Sequence, residues 1–241
     1  VIILDQNGKQ DTGHVKLGKF KMNLLNYLKN DKIDSLGYDT VYLEKPMSKL
    51  IDFDWKNILQ PPPSNLDRST LKELELVSKE TKNRSPIDNQ NILKIDQDID
   101  SLFIQILSRY NLKYPQQYID LFYDIVKPLI KNTKAFWNRA RPNQLAKFFN
   151  ITIDVIVTDT HHSASYPSGH TVYASLVANI LKDIYPQISQ KEIDNIVLSV
   201  AEARVKQGVH YPSDNKASII FSKFIFDKLN PKLRNYRNEQ I

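Results

Sequence analysis

The chain of 241 residues has no cysteine, which excludes disulfides and thiolate metal sites while fitting either redox compartment. It also lacks any apolar run near the ~18–20 residues that a membrane-spanning helix needs. The strongest candidate, "SIIFSKFIF", is short and broken by Lys223. The opening "VIILDQNGKQ" has no basic start followed by a longer apolar stretch, so it is not a signal peptide. Because the chain opens on Val rather than Met, removal of an upstream segment stays open. The expectation is a soluble protein, periplasmic or secreted if a signal peptide was removed and cytoplasmic otherwise. No internal repeat, low-complexity tract or long Lys/Arg block is present. The excess of 33 basic over 27 acidic residues gives a net charge of +6, which favours acidic substrates. Those charges are interspersed, so no nucleic-acid partner is expected.

What is present reads as one large helical unit with an appendage. A chain of this length buries about 70–75% of its unfolded surface and needs no staples. Residues 1–50 mix β-like pieces ("VIIL", "DTVYLEKP") with one short helical stretch ("KMNLLNYLKN") and are read as an N-terminal extension to a helical domain over 51–241. "LQPPPSNLD" (59–67) favours an extended polyproline segment. Beyond it, Thr70 and Glu73 form a possible capping box. Apolar residues then repeat at helical spacing around 99–110, 118–130, 169–184, 190–206 and 213–229, with Pro128 expected to kink or end its helix. "ITIDVIVTD" (151–159) alternates like a strand but has no evident pairing partner. An extended segment lying on helices fits it equally well. The fold class is all-α.

Three polar groups stand out against these helices. In "KAFWNRARP", Lys134 and Arg141 are two helical turns apart and share a face if the segment is helical, whereas Arg139 falls on another face and suits a structural salt bridge. In "SASYPSGHTVYASL", the N–H groups of Gly169 and His170 open a helix, where unpaired donors and the helix dipole bind phosphate. Gly169 permits close backbone approach, and Ser168 adds a hydroxyl that could equally serve as an ordinary N-cap. In "ARVKQGVHYPSD", Gly208 stops one helix and Pro212 opens the next, leaving His210 in the connection four residues before Asp214. A carboxylate there can fix the tautomer of the imidazole and leave its other nitrogen free. Each group alone has a structural explanation: a solvated basic face, a serine cap, an acidic first turn. Together they supply cations, an anion-binding helix start and two histidines, the set required for metal-free phosphoryl transfer.

Lys134-x6-Arg141-Pro142, Pro167-Ser168-Gly169-His170 and Arg204-x5-His210-x3-Asp214 resemble the three-part signature of the type-2 phosphatidic acid phosphatase superfamily, which includes the class A non-specific acid phosphatases and the vanadium haloperoxidases. The resemblance covers about residues 59–220, since "ILQPPPS" is similar to the proline-rich lead-in of the soluble acid phosphatases. It implies a helical bundle of that type and a soluble, metal-independent phosphomonoesterase with no cofactor, acting on small phosphorylated substrates. His210, oriented by Asp214, is then the nucleophile that forms a phosphohistidine. His170 is the acid and base, starting protonated, which gives an acid-to-neutral optimum. Lys134, Arg141, Ser168, Gly169 and Arg204 hold the phosphoryl oxygens. Ala203 departs from the pattern, which places Ser before this Arg, and reduced or altered activity is the most expected from it. The alternatives are a haloperoxidase with vanadate as cofactor rather than inhibitor, and a non-catalytic module that binds phosphorylated ligands. Substrate choice is expected to lie in segments 59–67 and 143–166. The adjacent His161 and His162 are expected to point apart in an entrance loop, with no third ligand for a metal.

Overall fold

The computed structural model describes residues 47–240. "VIIL", "KMNLLNYLKN" and "DTVYLEKP", the pieces of the expected extension, lie outside the described residues. Among the described residues the fold is all helical, with no strand. A 3-10 turn at Trp55–Asn57 precedes α1 (Arg68–Lys82), α2 (Pro86–Gln97), α3 (Asp100–Arg109) and α4 (Gln116–Trp137). Then follow the short α5 (Pro142–Ala146), a 3-10 turn at Lys147–Phe149, α6 (Gly169–Ile184), α7 (Gln190–Lys206) and α8 (Pro212–Gln240).

α6 is the centre of the bundle. It buries Val172, Leu176 and Ile180 on one side and Ala174, Val177, Ala178 and Leu181 on others, so it is apolar nearly all round, as a fully enclosed helix must be. It packs chiefly between α7 and α8, with α4 closing the next side. Ser175 on α6 meets Ser222 on α8, Oγ to Oγ at 2.5 Å, a close approach that small side chains allow. Phe122 of α4 stacks on Phe226 of α8 at 6.1 Å. The result fixes the first turn of α6 in the interior, between the ends of α4, α7 and α8.

Several local expectations change. The N-cap of α1 lies three residues before the expected Thr70: it is Asp67, which accepts from the Ser69 N–H at 2.7 Å. Thr70 lies within the helix and donates to the Ser64 carbonyl. Glu73, relieved of any capping role, reaches into the interior. α4 does not end at Pro128 but runs through it to Trp137. The carbonyl that a proline deprives of its partner belongs to Asp124, which stands on the exposed side where water can serve it. α8 carries Pro231 in the same way, with exposed Asp227 four residues before it, and extends well past residue 229. α2, which apolar spacing alone does not reveal, has a Ser85–Asp88 capping box and Pro86 at its first position.

"ITIDVIVTD" is an extended segment lying across helices rather than a strand. Its backbone is held by Ser78 Oγ on the Thr152 carbonyl (2.6 Å), by Arg84 on the Asp154 carbonyl (2.6 Å), and by the Ile156 N–H on the Gln207 carbonyl (3.2 Å). The alternation holds to Val155 and then slips: Ile156 is half-buried while Val157 is 77% exposed. This segment crosses Gly208, the second residue after α7, whose φ is +86°. A Cβ at Gly208 would stand 2.8 Å from Ile153 Cγ2. Gly208→Ala therefore combines a left-handed backbone with a clash and is expected to destabilise the fold by about 2 kcal/mol or more. Chemical denaturation measures it, and an unchanged midpoint would contradict the packing described.

Candidate active site

Lys134 and Arg141 converge, though not on one helical face. α4 stops at Asn138, in the left-handed region at φ 39°, and Arg141 sits beyond it as the extended residue before α5. Both side chains grip the same backbone stretch. Lys134 Nζ donates to the Ala164 carbonyl at 2.6 Å, and Arg141 Nε donates to the Ser163 carbonyl at 2.8 Å. Arg141 NH1 also donates to the Val209 carbonyl at 2.8 Å and lies 3.2 Å from His210 Nε2. The stretch they hold leads through a cis Tyr166–Pro167 bond into α6.

Ser168 is the N-cap residue of α6, but no side chain caps that helix. Its hydroxyl pairs with Thr171 Oγ1 at 3.0 Å, and its own N–H donates to Ser218 Oγ at 2.9 Å. The positive end of the α6 dipole is thus left without a side-chain anion. Gly169 stands beside Lys134: a Cβ there would come 3.9 Å from Lys134 Cε, an ordinary contact. Steric need within the protein does not explain this glycine.

His210 lies in the turn between Gly208 and α8, with Nδ1 3.2 Å from Asp214 Oδ2. Asp214 is fully buried and also accepts from Ser165 Oγ (2.5 Å), the Tyr211 N–H (3.0 Å) and Arg139 NH1 (2.6 Å). Arg139 stacks over the Tyr211 ring at 3.9 Å and pairs as well with Glu73 (3.3 Å). Glu73 in turn accepts from the Ser213 N–H and hydroxyl at 2.6 and 2.7 Å. Arg139 is therefore the structural salt bridge that its position suggested, and its partners orient the histidine from behind.

On the far side, Arg204 at the end of α7 meets Asp96 at the end of α2. Asp96 also accepts from Thr160 Oγ1 at 2.5 Å. His170 Nε2 lies 3.4 Å from the Asp96 carbonyl and 3.5 Å from Oδ1. Sequence reasoning missed Asp96, and it gave Glu73 the wrong task. Neither residue belongs to a recognisable motif, and only the packing of α1 and α2 brings them in. Ala203, by contrast, is buried among apolar residues of the core and lines a groove with Ile92, Leu102 and Ile196, away from the phosphate-binding candidates.

Charge dominates this region. Lys134, Arg141 and Arg204 are buried together, with the carboxylate of Asp96 paired to Arg204 and that of Asp214, paired to Arg139, close enough to act on Lys134. Burial and the two guanidiniums push Lys134 well below an ordinary ammonium. Burial and the cations Arg141, Lys134 and Arg204 hold His210 well below an ordinary imidazole. Burial and Arg204 take His170 down to about 3, against a smaller opposing pull from Asp96. Arg204 Nε is buried without a hydrogen-bond partner. A bound anion would satisfy that donor and relieve the repulsion. This lowering favours the neutral form of His170, whereas the reading from the sequence has it start protonated.

A cavity of about 470 Å³ opens beside Lys134, Gly169 and His170, large enough for a small phosphorylated molecule. Asp96 to Asp100, residues of α4 and the Thr160–Ser163 stretch form its walls. Segment 59–67 does not contribute; it lines a separate cavity with Trp137 and Arg139. Arg141, Ser168, Arg204, His210 and Asp214 are at most 1% exposed and are not among the residues that line this cavity. The rings of His161 and His162 do not splay apart but stack 5.4 Å apart, and His161 is buried with Nδ1 3.3 Å from Thr158 Oγ1. Among the described residues no three His, Asp or Glu side chains cluster as a metal site, and no helix is long and apolar enough to cross a membrane.

Two outcomes follow from this electrostatic arrangement. Arg139→Ala leaves the buried Asp214 and the part-buried Glu73 without their cation and should cost about 3–5 kcal/mol in a denaturation experiment. A loss below ~1 kcal/mol would show that the network is not a buried ion-pair system. The folded-state values of His161 and His170 are lowered to about 4 and about 3. The unfolded chain thus binds more protons below about pH 6.5, and stability, full above that pH, falls as the pH drops toward 4. Each histidine contributes about 1.4 kcal/mol per pH unit within its window. A flat stability profile between pH 7 and 5 would contradict it.

A model of the PAP2 superfamily matches residues 121–226, the span from α4 into α8 that holds all three motifs. No curated protein matches the chain. Among solved structures, the chain is similar to a transmembrane PAP2-type phosphatidylglycerolphosphate phosphatase from Bacillus subtilis, with 21% identity, a TM-score of 0.49, and coverage of 70% of this chain and 89% of that one. Residues 121–226 are a PAP2 superfamily domain.

Proposed function

We propose that the chain is a phosphatase, a metal-independent phosphoric monoester hydrolase that works through a phosphohistidine on His210. The observation that carries this reading is the buried excess of cations around an unpartnered Arg204 Nε, set beside a neutral histidine backed by a carboxylate. The PAP2 superfamily domain supports phosphatase chemistry.

The steps follow from the residues. A phosphate group entering from the cavity takes the donors of Lys134, Arg141, Arg204, the Ser168 hydroxyl and the Gly169 N–H, and draws Arg141 NH1 away from His210 Nε2. Asp214 accepts the Nδ1–H of His210, so the lone pair on Nε2 is the one free to attack phosphorus. The P–N bond forms as the P–O bond to the leaving group breaks, and that electron pair departs on the leaving oxygen. His170 gives the oxygen a proton. The incoming dianion raises the proton affinity of His170, which takes up this proton from solvent as the phosphate binds. In the second step His170 removes a proton from water, the water oxygen attacks phosphorus, and the P–N bond breaks to return neutral His210.

The test is hydrolysis of a panel of aryl and alkyl phosphates, with and without EDTA and orthovanadate. The expected result is turnover that survives EDTA and is inhibited by vanadate, which mimics the five-coordinate transition state. His210→Ala should lower kcat by about 10⁴-fold or more, and rapid quench of the wild-type protein should trap phosphate on His210. Turnover retained in His210→Ala would remove the assigned nucleophile. Tight phosphate binding without turnover or a trapped intermediate would instead favour a binding module.

A further inference from the structure

Asp96 is a buried carboxylate inside the site that none of the three motifs contains. Its side chain is 5% exposed, it comes from α2, and it lies upstream of the matched 121–226 segment. From the geometry we infer that Asp96 is the positioning carboxylate of His170, the counterpart on the leaving-group side of Asp214 behind His210, and that it fixes Arg204 in the same grip. This rests on the reading of His170 as the acid and base of a phosphatase.

The arrangement has two linked parts. Asp96 Oδ1 pairs with Arg204 NH1 and accepts from Thr160 Oγ1, so the carboxylate is itself held in place from α7 and from the extended segment. The same oxygen and the Asp96 carbonyl both lie within 3.5 Å of His170 Nε2. Two acceptors facing one ring nitrogen favour the tautomer with its proton on Nε2, which leaves Nδ1 to give and take the catalytic proton. The charged and titratable groups that act on His170 are Asp96 from α2, Lys134 from α4, Arg204 from α7 and His210 from the turn before α8. Asp96 is the one anion among these four, so it alone opposes loss of the proton that the leaving oxygen needs.

A carboxylate pairing with a phosphate-binding arginine could instead be an internal plug that competes with substrate. The two roles separate by leaving group. A positioning carboxylate behind the acid matters most where the departing oxygen needs a proton, whereas a plug affects every ester alike.

The experiment compares the wild-type chain with Asp96→Asn on phenyl phosphate, a poor leaving group, and 4-nitrophenyl phosphate, a good one. Asn keeps an oxygen for Arg204 but loses the charge. The expected result is a fall in kcat of about tenfold or more on phenyl phosphate and about threefold or less on 4-nitrophenyl phosphate, with little further loss when Asp96→Asn is added to His170→Ala. Equal losses on both esters, or a gain in activity, would overturn the inference. A second measurement does not depend on turnover. Nitrogen-15 NMR of the wild-type imidazoles at neutral pH should show His170 protonated on Nε2, and an Nδ1–H tautomer would overturn the pairing even in an active enzyme. A wild-type protein that hydrolyses neither ester yet carries the Nε2–H tautomer would sink the phosphatase reading and leave the Asp96–His170 pairing standing.

Discussion

Mutual repulsion among three buried cations is the constraint around which this site is organised. Lys134, Arg141 and Arg204 are taken out of water within one site, and each disfavours a further positive charge on its neighbours. That repulsion, added to burial, lowers the proton affinity of both histidines. On the proposed reading it also suits the site to negative charge, because a dianion would offset a cost that folding has already incurred. On the proposed reading, the same charge excess would bind the phosphate, preserve the lone pair on the nucleophile, and couple protonation of the acid to substrate binding.

The scaffold bears this cost through carboxylates supplied from outside the matched domain. Glu73 on α1 holds Arg139, which holds Asp214, which orients His210. Asp96 on α2 holds Arg204 beside His170. α1 and α2, both of which precede residue 121, thus brace the two sides of a site whose named motifs all lie after it. α6 contributes by omission: its first turn has no side-chain cap, so the dipole is directed at the site and not neutralised locally. The almost wholly apolar body of α6 anchors that turn against α7 and α8.

Much of this was legible in the sequence because local chemistry specified it. The spans of α6 and α7 follow from apolar spacing together with Gly208 and Pro212, and the three motifs carry their residue types in fixed order. What was not legible depends on long-range packing. Lys134 and Arg141 meet because Asn138 reverses the chain after α4, not because they share a helical face. Glu73 looked like a capping residue since the sequence cannot show that Asp67 takes that place. Asp96 sits in an ordinary helix end, and its role is defined by partners 74 and 108 residues away. Proline misled for a related reason. Pro128 ends a helix only when the carbonyl it orphans has no solvent, and exposure is a tertiary property. The stretch 151–159 shows alternation serving a different purpose, since its polar face and backbone bond to helices instead of to a neighbouring strand.

The most direct test of the account is a crystal structure of the protein with orthovanadate. The account predicts vanadium bonded to His210 Nε2 in trigonal-bipyramidal geometry. The vanadate oxygens should be held by Lys134, Arg141, Arg204 and the first turn of α6, with His170 opposite the bonded nitrogen. Vanadate bonded to His170 instead, or found away from Arg204 with the cation cluster unchanged, would contradict it.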